Sequence, residues 1–269
     1  KFIKLNQVVD IKYGIKTGAN DFFYLTDHTY QALRMPDNEY LNTFGVEKSK
    51  HKKIWEKYGW YWSNMTYYPY IIEKFYTRPL FKTQAEAVNL DVDVNNLKFR
   101  VLFCNDSKDQ LNRYNTKILE YINDAEGPRY EIHKRPSCAG RSNWYDLTSS
   151  AVAGDFIFPS KIGERFRLVD NRDAQVYCDK VNYIIKIKEE YKEYSDIIFL
   201  ILNSITFRYF IDLFSRQMVV KVSDVDVNVL EKTLIINPEL LKGKKKELSA
   251  ILKSLKSREQ GTIADEVKQ

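Results

Sequence analysis

Glycine is scarce in this chain, 10 residues of 269, roughly half the usual share. That leaves little material for glycine-rich phosphate loops, and neither a Walker A sequence nor a GxGxxG turn occurs. Cysteine is scarcer still, with 3 residues and no CxxC pair, which excludes a disulfide framework and points to a reduced, cytoplasmic setting. His28, His51 and His133 have no His or Cys at metal-ligand spacing; His133 and Cys138 are five apart but stand alone. A structural zinc site is therefore not expected. A long apolar run is missing too. Residues 197–214 are interrupted by Asn203, Ser204, Thr206, Arg208 and Asp212, whereas a bilayer span needs about 20 mostly apolar residues. That stretch reads as a buried helix, and no membrane partner is expected. No signal peptide, internal repeat or low-complexity linker is present. Lys1 stands where Met would begin a reading frame, as expected of a piece of a longer polypeptide.

What is present describes a folded protein. Hydrophobic residues make up 44% and charged residues 29%, which excludes wholesale disorder. The length suits one large domain or two small ones with a sizeable core. Aromatics reach 14%, with 19 Tyr and 15 Phe. Lys and Arg total 42 against 36 acidic residues, so the net charge is 42 − 36 = +6. So mild an excess permits nucleic-acid binding without establishing it. Its placement says more. Between positions 134 and 167 lie Lys134, Arg135, Arg141, Lys161, Arg165 and Arg167, against Asp146, Asp155 and Glu164. Arginine there suits bidentate contacts to phosphate or guanine, and a plain solvated surface is the competing reading.

The patterning is mixed α+β. Alternation at residues 2–11, glycines at 14 and 18, and the apolar run 22–25 read as strand, loop, strand. Residues 97–104 read as a strand. Residues 107–126 have helical spacing, stopped by Gly127-Pro128. Short strands are expected at 155–159, 165–170, 181–187 and 234–236. A long helix over 195–214, apolar on most faces, belongs at the centre of the fold. Pro238 opens a charged C-terminal helix that runs to about Arg258. The aromatic segment 60–70 (WYWSNMTYYPY) reads as half-buried packing.

Catalytic constellations are not self-contained here. A Cys–His nucleophile has no local mark. A metal-dependent nuclease of the paired-carboxylate-plus-lysine type has its best candidate in Asp93, Asp106 and Lys108. Glu190-Tyr191-Lys192 is a second acid-x-Lys triple, and such triples are common by chance in so charged a chain. A protein-interaction module built on the aromatic segment is a further alternative.

A binding constellation is better marked. Lys16, Thr17 and Asn20 lie in a glycine-flanked loop, where Asn20 can pair bidentately with adenine, while Thr17 and Gly18 read as plain turn residues. Arg135, Arg141, Trp144 and Tyr145 combine guanidinium forks with rings in a second loop suited to phosphates and base edges.

These residues carry a resemblance. VVDIKYGIKTGANDFFYL at 8–25, with Gly14, Thr17, Gly18, Ala19, Asn20 and Phe23, resembles the opening of the C-terminal, TaqI-like specificity domain of N6-adenine DNA methyltransferases and type IIG restriction–modification enzymes. RSNWYDL at 141–147 is similar to that family's W-Y/W-x-L element. GDFIFPSKIGERFRLVDN at 154–171 is similar to the strand pair that follows, and FLILNSITFRYFIDLFSRQ at 199–217 to its L-L-N-S helix. INPELL at 236–241 and SLKSREQGTI at 254–263 complete the series, in order along nearly the whole chain. The aromatic insertion at about 30–130 and the PSCAG before the W-Y element depart from the pattern.

The resemblance implies a strand-rich target-recognition domain over 1–236, with 237–269 as its helical extension, that binds double-stranded DNA. Lys16, Lys134, Arg135, Arg141, Lys161, Arg165 and Arg216 would meet phosphates or guanine edges. Asn20, Asn143, Trp144 and Tyr145 would work near the bases. The family's catalytic motif, N/D-P-P-Y/F, does not occur, nor does a glycine-rich S-adenosylmethionine loop. No cofactor is expected in this chain. S-adenosylmethionine belongs to an N-terminal methyltransferase domain of the same polypeptide, to which this chain would present the adenine. Whether that polypeptide also cleaves DNA is left open.

Overall fold

The strand Val9–Tyr13 is the edge of a four-stranded antiparallel sheet in which Asn182–Ile187 lies between it and Phe156–Pro159, with Val169–Asp170 beyond. The computed structural model describes residues 1–51, 53–149, 151–163, 166–219 and 222–257, with Arg216–Val219 and Val222 described by their backbone only. These residues form two compact units, one of Lys1–Ile15, Phe81–Asn96 and the chain from Val152, the other of Lys16–Leu80 and Leu97–Ala151. The sequence reading takes 237–269 as a helical extension of a domain over 1–236 that carries an insertion at about 30–130. Each unit is closed from separated stretches of chain.

In the first unit Ile185 pairs with Ile11 on one side and Phe156 on the other, and all three belong to one buried cluster. Burying each such side chain contributes on the order of 1.5–3 kcal/mol. The helices Ser195–Leu202 and Ile205–Phe214 supply Ile198, Phe199, Leu202, Phe207 and Ile211 to the same core. The single helix expected over 195–214 is thus two, and the chain turns by 70° between Glu189–Leu202 and Ile205–Phe214. Asn203 and Ser204 cause the break. The Asn203 side chain accepts from Leu168 N (2.8 Å) and donates to Leu168 O (3.2 Å). Ser204, in extended backbone, caps the next helix by accepting from Phe207 N (3.2 Å). Phe2–Lys4 pairs with Leu234–Ile236, and Val222–Asp224 lies between Arg216–Val219 and Lys161–Ile162. At the C-terminal end, Pro238–Lys244 is 3-10 helix and Lys245–Lys256 is α-helix, with Leu252 in the core of this unit.

An ionic network ties that last helix down. Lys256 bonds Asp170 (2.7 Å) and Asp91 (2.5 Å), and Arg172 bonds Asp170 (2.5 Å) and Asp196 (2.7 Å). Burial works against the Asp170 charge, but the bonds from Arg172 and Lys256 outweigh it and hold the carboxyl below the usual carboxylate range.

The second unit is built on antiparallel strands in the order Thr77–Phe81, Phe99–Leu102, Tyr24–Asp27, Tyr58–Ser63, Tyr70–Glu73. The helix expected over 107–126 is interrupted. Lys108–Arg113 and Ile118–Glu126 are separated where Asn115 takes a left-handed φ of 47°, a conformation that Asn tolerates better than most residues. Ile118, Tyr121, Ile122 and Ala125 form the buried stripe of the second helix. Its N-terminus is held by buried Glu73, whose carboxylate accepts from Lys117 N (2.7 Å) and Ile118 N (3.1 Å). In the aromatic segment 60–70, Tyr61 and Tyr70 are buried and Trp60 is half-buried, whereas Trp62, Tyr67 and Tyr68 are exposed.

No single helix among the described residues is long and apolar enough to cross a membrane.

Candidate nucleic-acid interface

The glycine-flanked loop begins with a close approach that only glycine permits. Within the first unit, Gly14 N donates to Asn182 O (2.9 Å), and a Cβ on Gly14 would lie 2.3 Å from Asp179 O. In the second unit, Gly18 has φ +78°, and a Cβ there would stand 2.2 Å from Ser137 Cβ. Both glycines are required by the backbone, as a tight loop demands.

Between Gly18 and the short helix Asn20–Phe23, Thr17 sets the geometry. It is 1% exposed, and its hydroxyl accepts from Ala19 N (3.1 Å) and donates to Asn20 Oδ1. The exposed Asn20 side chain is thereby held in one orientation. Its oxygen keeps a second lone pair and its nitrogen two donors, which is what a bidentate adenine contact requires. Thr17 is thus the positioning residue that a plain-turn reading overlooks, and the Thr-x-x-Asn spacing was the signal for it.

The arginines of the second loop are committed to this scaffold. Arg135 forms a two-pronged salt bridge to Asp21, at 2.6 and 2.7 Å. Partial burial opposes the Asp21 charge, but Arg135 outweighs it and holds that carboxyl below its ordinary value; the same bonds raise the guanidinium. Arg141 donates to Thr17 O (2.7 Å), Lys16 O (3.3 Å) and Trp144 O (3.0 Å), with its guanidinium 5.5 Å from the Phe23 ring. Both guanidinium forks, expected on phosphates or guanine, are occupied inside the protein.

Trp144 and Tyr145, expected near the bases, are core residues at 8% and 2% exposure. Trp144 packs 4.7 Å from Phe22, which stacks on Tyr121 at 4.7 Å, and its indole N–H donates to Glu126 (2.7 Å). The Tyr145 hydroxyl donates to Asp106 O (2.9 Å), and burial pushes that phenol up. Asn143 Nδ2 donates to Asn105 O (3.3 Å). Trp144 folds inward against Phe22 and Phe23, more than 100 positions earlier in the chain, a long-range contact that local sequence does not reveal.

In the second unit three expected residues remain exposed: Lys16, Asn20 and Lys134. Lys134 makes an ion pair with Glu131 (2.5 Å), a surface contact that water and salt weaken. In the first unit, Lys161 is exposed on its short strand. Arg167 is buried and donates to Val88 O (3.2 Å). The backbone of Arg216 lies opposite Asp224; its side chain, and Arg165 altogether, fall outside the described residues.

The acidic triples are engaged in packing contacts. Asp106 accepts from the Tyr76 hydroxyl (2.6 Å), while Lys108 bonds Glu126 and Asn123 (2.9 Å to the latter). Asp93, the third member, belongs to the first unit and accepts from Asn95 N (2.9 Å). Lys192 of the second triple bonds Asp155 (2.8 Å). Among the described residues no group of three His, Cys, Asp or Glu could hold a metal ion. Cys104, Cys138 and Cys178 are all buried. Burial pushes the Cys104 thiol up to about 12, the opposite of what a nucleophile needs.

Comparison with known proteins gives three findings. The family described as the C-terminal domain of type II methyltransferase M.Eco57I matches residues 75–263. The type IIG restriction endonuclease BpuSI has a similar structure, with TM-score 0.56 and 10% identity over 97% of this chain and 27% of that one. The type IIL restriction–modification enzyme MmeI, solved in complex with DNA, follows with TM-score 0.51 and 16% identity over 95% of this chain and 29% of that one. At such identities the likeness is one of fold, and the chain spans less than a third of either enzyme. No curated protein matches the sequence.

Proposed function

The chain belongs to the family of the C-terminal domain of type II methyltransferase M.Eco57I, and from that premise we propose that it is a target-recognition domain that binds duplex DNA sequence-specifically. Family membership over residues 75–263 is the observation that carries this reading. In it, Asn20 reads a base edge from its fixed loop, with Lys16 and Lys134 of the same unit on phosphates; Lys161, in the first unit, is a separate phosphate contact. Arg135, Arg141 and Trp144 act one step back, holding the loop in shape. Catalysis lies elsewhere, in a methyltransferase domain of the same polypeptide, where S-adenosylmethionine would supply the methyl group for adenine N6. The setting is the cytoplasm, where the cell's DNA is reached.

Selection from a random duplex library tests this. The chain is expected to enrich a short motif, with affinity falling steeply as salt rises. Asn20→Ala should relax one position of that motif by about 1–3 kcal/mol and leave the others unchanged. A chain that enriches nothing, or whose preference ignores Asn20, refutes the assignment.

A further inference from the structure

Tyr67 is 79% exposed, more than any other large hydrophobic side chain among the described residues. A single exposed ring needs no explanation by itself; its setting does. The loop that carries it is pinned on both sides. Met65 N donates to Asp21 O (3.1 Å), Thr66 Oγ1 to Tyr68 O (2.8 Å), and the Tyr68 hydroxyl to Asp124 (2.9 Å). The first of these bonds joins the loop to the residue next to Asn20.

Over the ring lies Arg129, its guanidinium 5.0 Å from the Tyr67 centroid and 5.4 Å from that of Tyr130. Stacking uses the faces of a guanidinium and leaves its N–H edge outward. Elsewhere in this unit, Arg78, Arg100, Arg135 and Arg141 direct their N–H groups to internal oxygens. Arg129 is exposed, and among the described residues no carboxylate pairs with it. A guanidinium placed over a ring on a pinned loop, with no carboxylate paired to it among the described residues, matches a phosphate oxygen pair.

We infer that Tyr67 and Arg129 form a DNA phosphate contact beside the Asn20 loop, the ring holding the guanidinium edge-on to the backbone. The inference rests on the DNA-binding reading and adds residues that local sequence did not single out. Because the ring pre-orders the fork, little side-chain entropy is lost on binding.

The test is fluorescence anisotropy of the full chain with a labelled random-sequence duplex across a range of salt concentrations. Arg129→Gln is expected to weaken binding about tenfold and to reduce the log–log salt slope by about 0.9, the share of one phosphate. Tyr67→Leu, which removes no charge, should weaken binding by a similar factor, and the double variant should lose little more than either single one. Both losses should be uniform across duplex sequences, with unchanged thermal melting. An unaltered slope for Arg129→Gln, full affinity for Tyr67→Leu, or a loss confined to one base position overturns the contact. If the unsubstituted chain binds but the variants match it, only this inference fails. If the unsubstituted chain binds no DNA, the DNA-binding reading fails and this contact with it.

Discussion

Arg141 offers a direct test of whether the second loop reads DNA or braces the first. If it braced nothing, Arg141→Ala would leave the fold alone and relax one position of sequence preference. The structure predicts the reverse. Its guanidinium serves the carbonyls of Thr17 (2.7 Å) and Trp144 (3.0 Å), and Thr17 is buried. A hydrogen bond from a charged donor contributes about 1.5–3 kcal/mol, and an unsatisfied buried carbonyl carries a similar penalty. Taking the lower end for a partly exposed arginine gives about 3 kcal/mol for the two bonds. The guanidinium–Phe23 contact adds roughly 0.5 kcal/mol. At about 2–4 °C per kcal/mol for a chain of this size, the total of about 3.5 kcal/mol should lower melting by roughly 7–14 °C. Arg141→Lys should recover little of this, because a compact ammonium cannot span two diverging carbonyls. Urea and thermal denaturation measure the stability, and library selection on the same preparations measures the preference. Any softening of preference should be confined to the position that Asn20 reads and should accompany the loss of stability, because the loosened loop no longer fixes that side chain. A melting change below about 2 °C together with an altered preference at one position would refute the brace.

Gly18→Ala should destabilise the chain for two separable reasons, about 1–2 kcal/mol for a left-handed residue with a Cβ and a further cost for the 2.2 Å clash with Ser137 Cβ. Adding Ser137→Gly should relieve only the clash, so urea midpoints that rise partway in the double variant support the geometry, and full recovery contradicts it. The Asp170 network makes a prediction in pH. Because the folded carboxyl titrates below its ordinary value, its contribution is complete above the unfolded pKa and is lost as pH falls through the folded one. Asp170→Asn should therefore cost about 3 kcal/mol at pH 7, and its stability curve should converge on the wild type under acid. Parallel curves down to the lowest pH would show that Asp170 does not carry the effect.

The sequence is legible where the physics is local. The strands at 156–159 and 182–187, the stop at Gly127-Pro128 and the tight loop at 14–20 follow from alternation, breakers and glycine, and the structure has them. The family resemblance drawn from ordered short motifs agrees with the family match over 75–263. The breaks inside helical patterns at Asn115 and at Asn203-Ser204 leave no such signal. There the spacing of apolar residues continues across the break, while a side-chain amide or hydroxyl captures backbone groups that a continuous helix would use.

Less legible than the positions of side chains is the use to which each is put. Arginine next to aromatic rings suits nucleic acid because a guanidinium offers planar donors and a ring offers a face. The same two properties serve a protein interior equally well. What separates the cases is whether an internal oxygen lies within reach, and that oxygen belongs to a residue more than 100 positions away for both Arg135–Asp21 and Arg141–Thr17. Arg129 also has a ring beside it, that of the adjacent Tyr130, yet it meets no carboxylate among the described residues. The two loops can therefore be told apart only by where each guanidinium edge points. A basic, aromatic stretch marks a capacity to bind, and the fold decides which of its members remain free to use it.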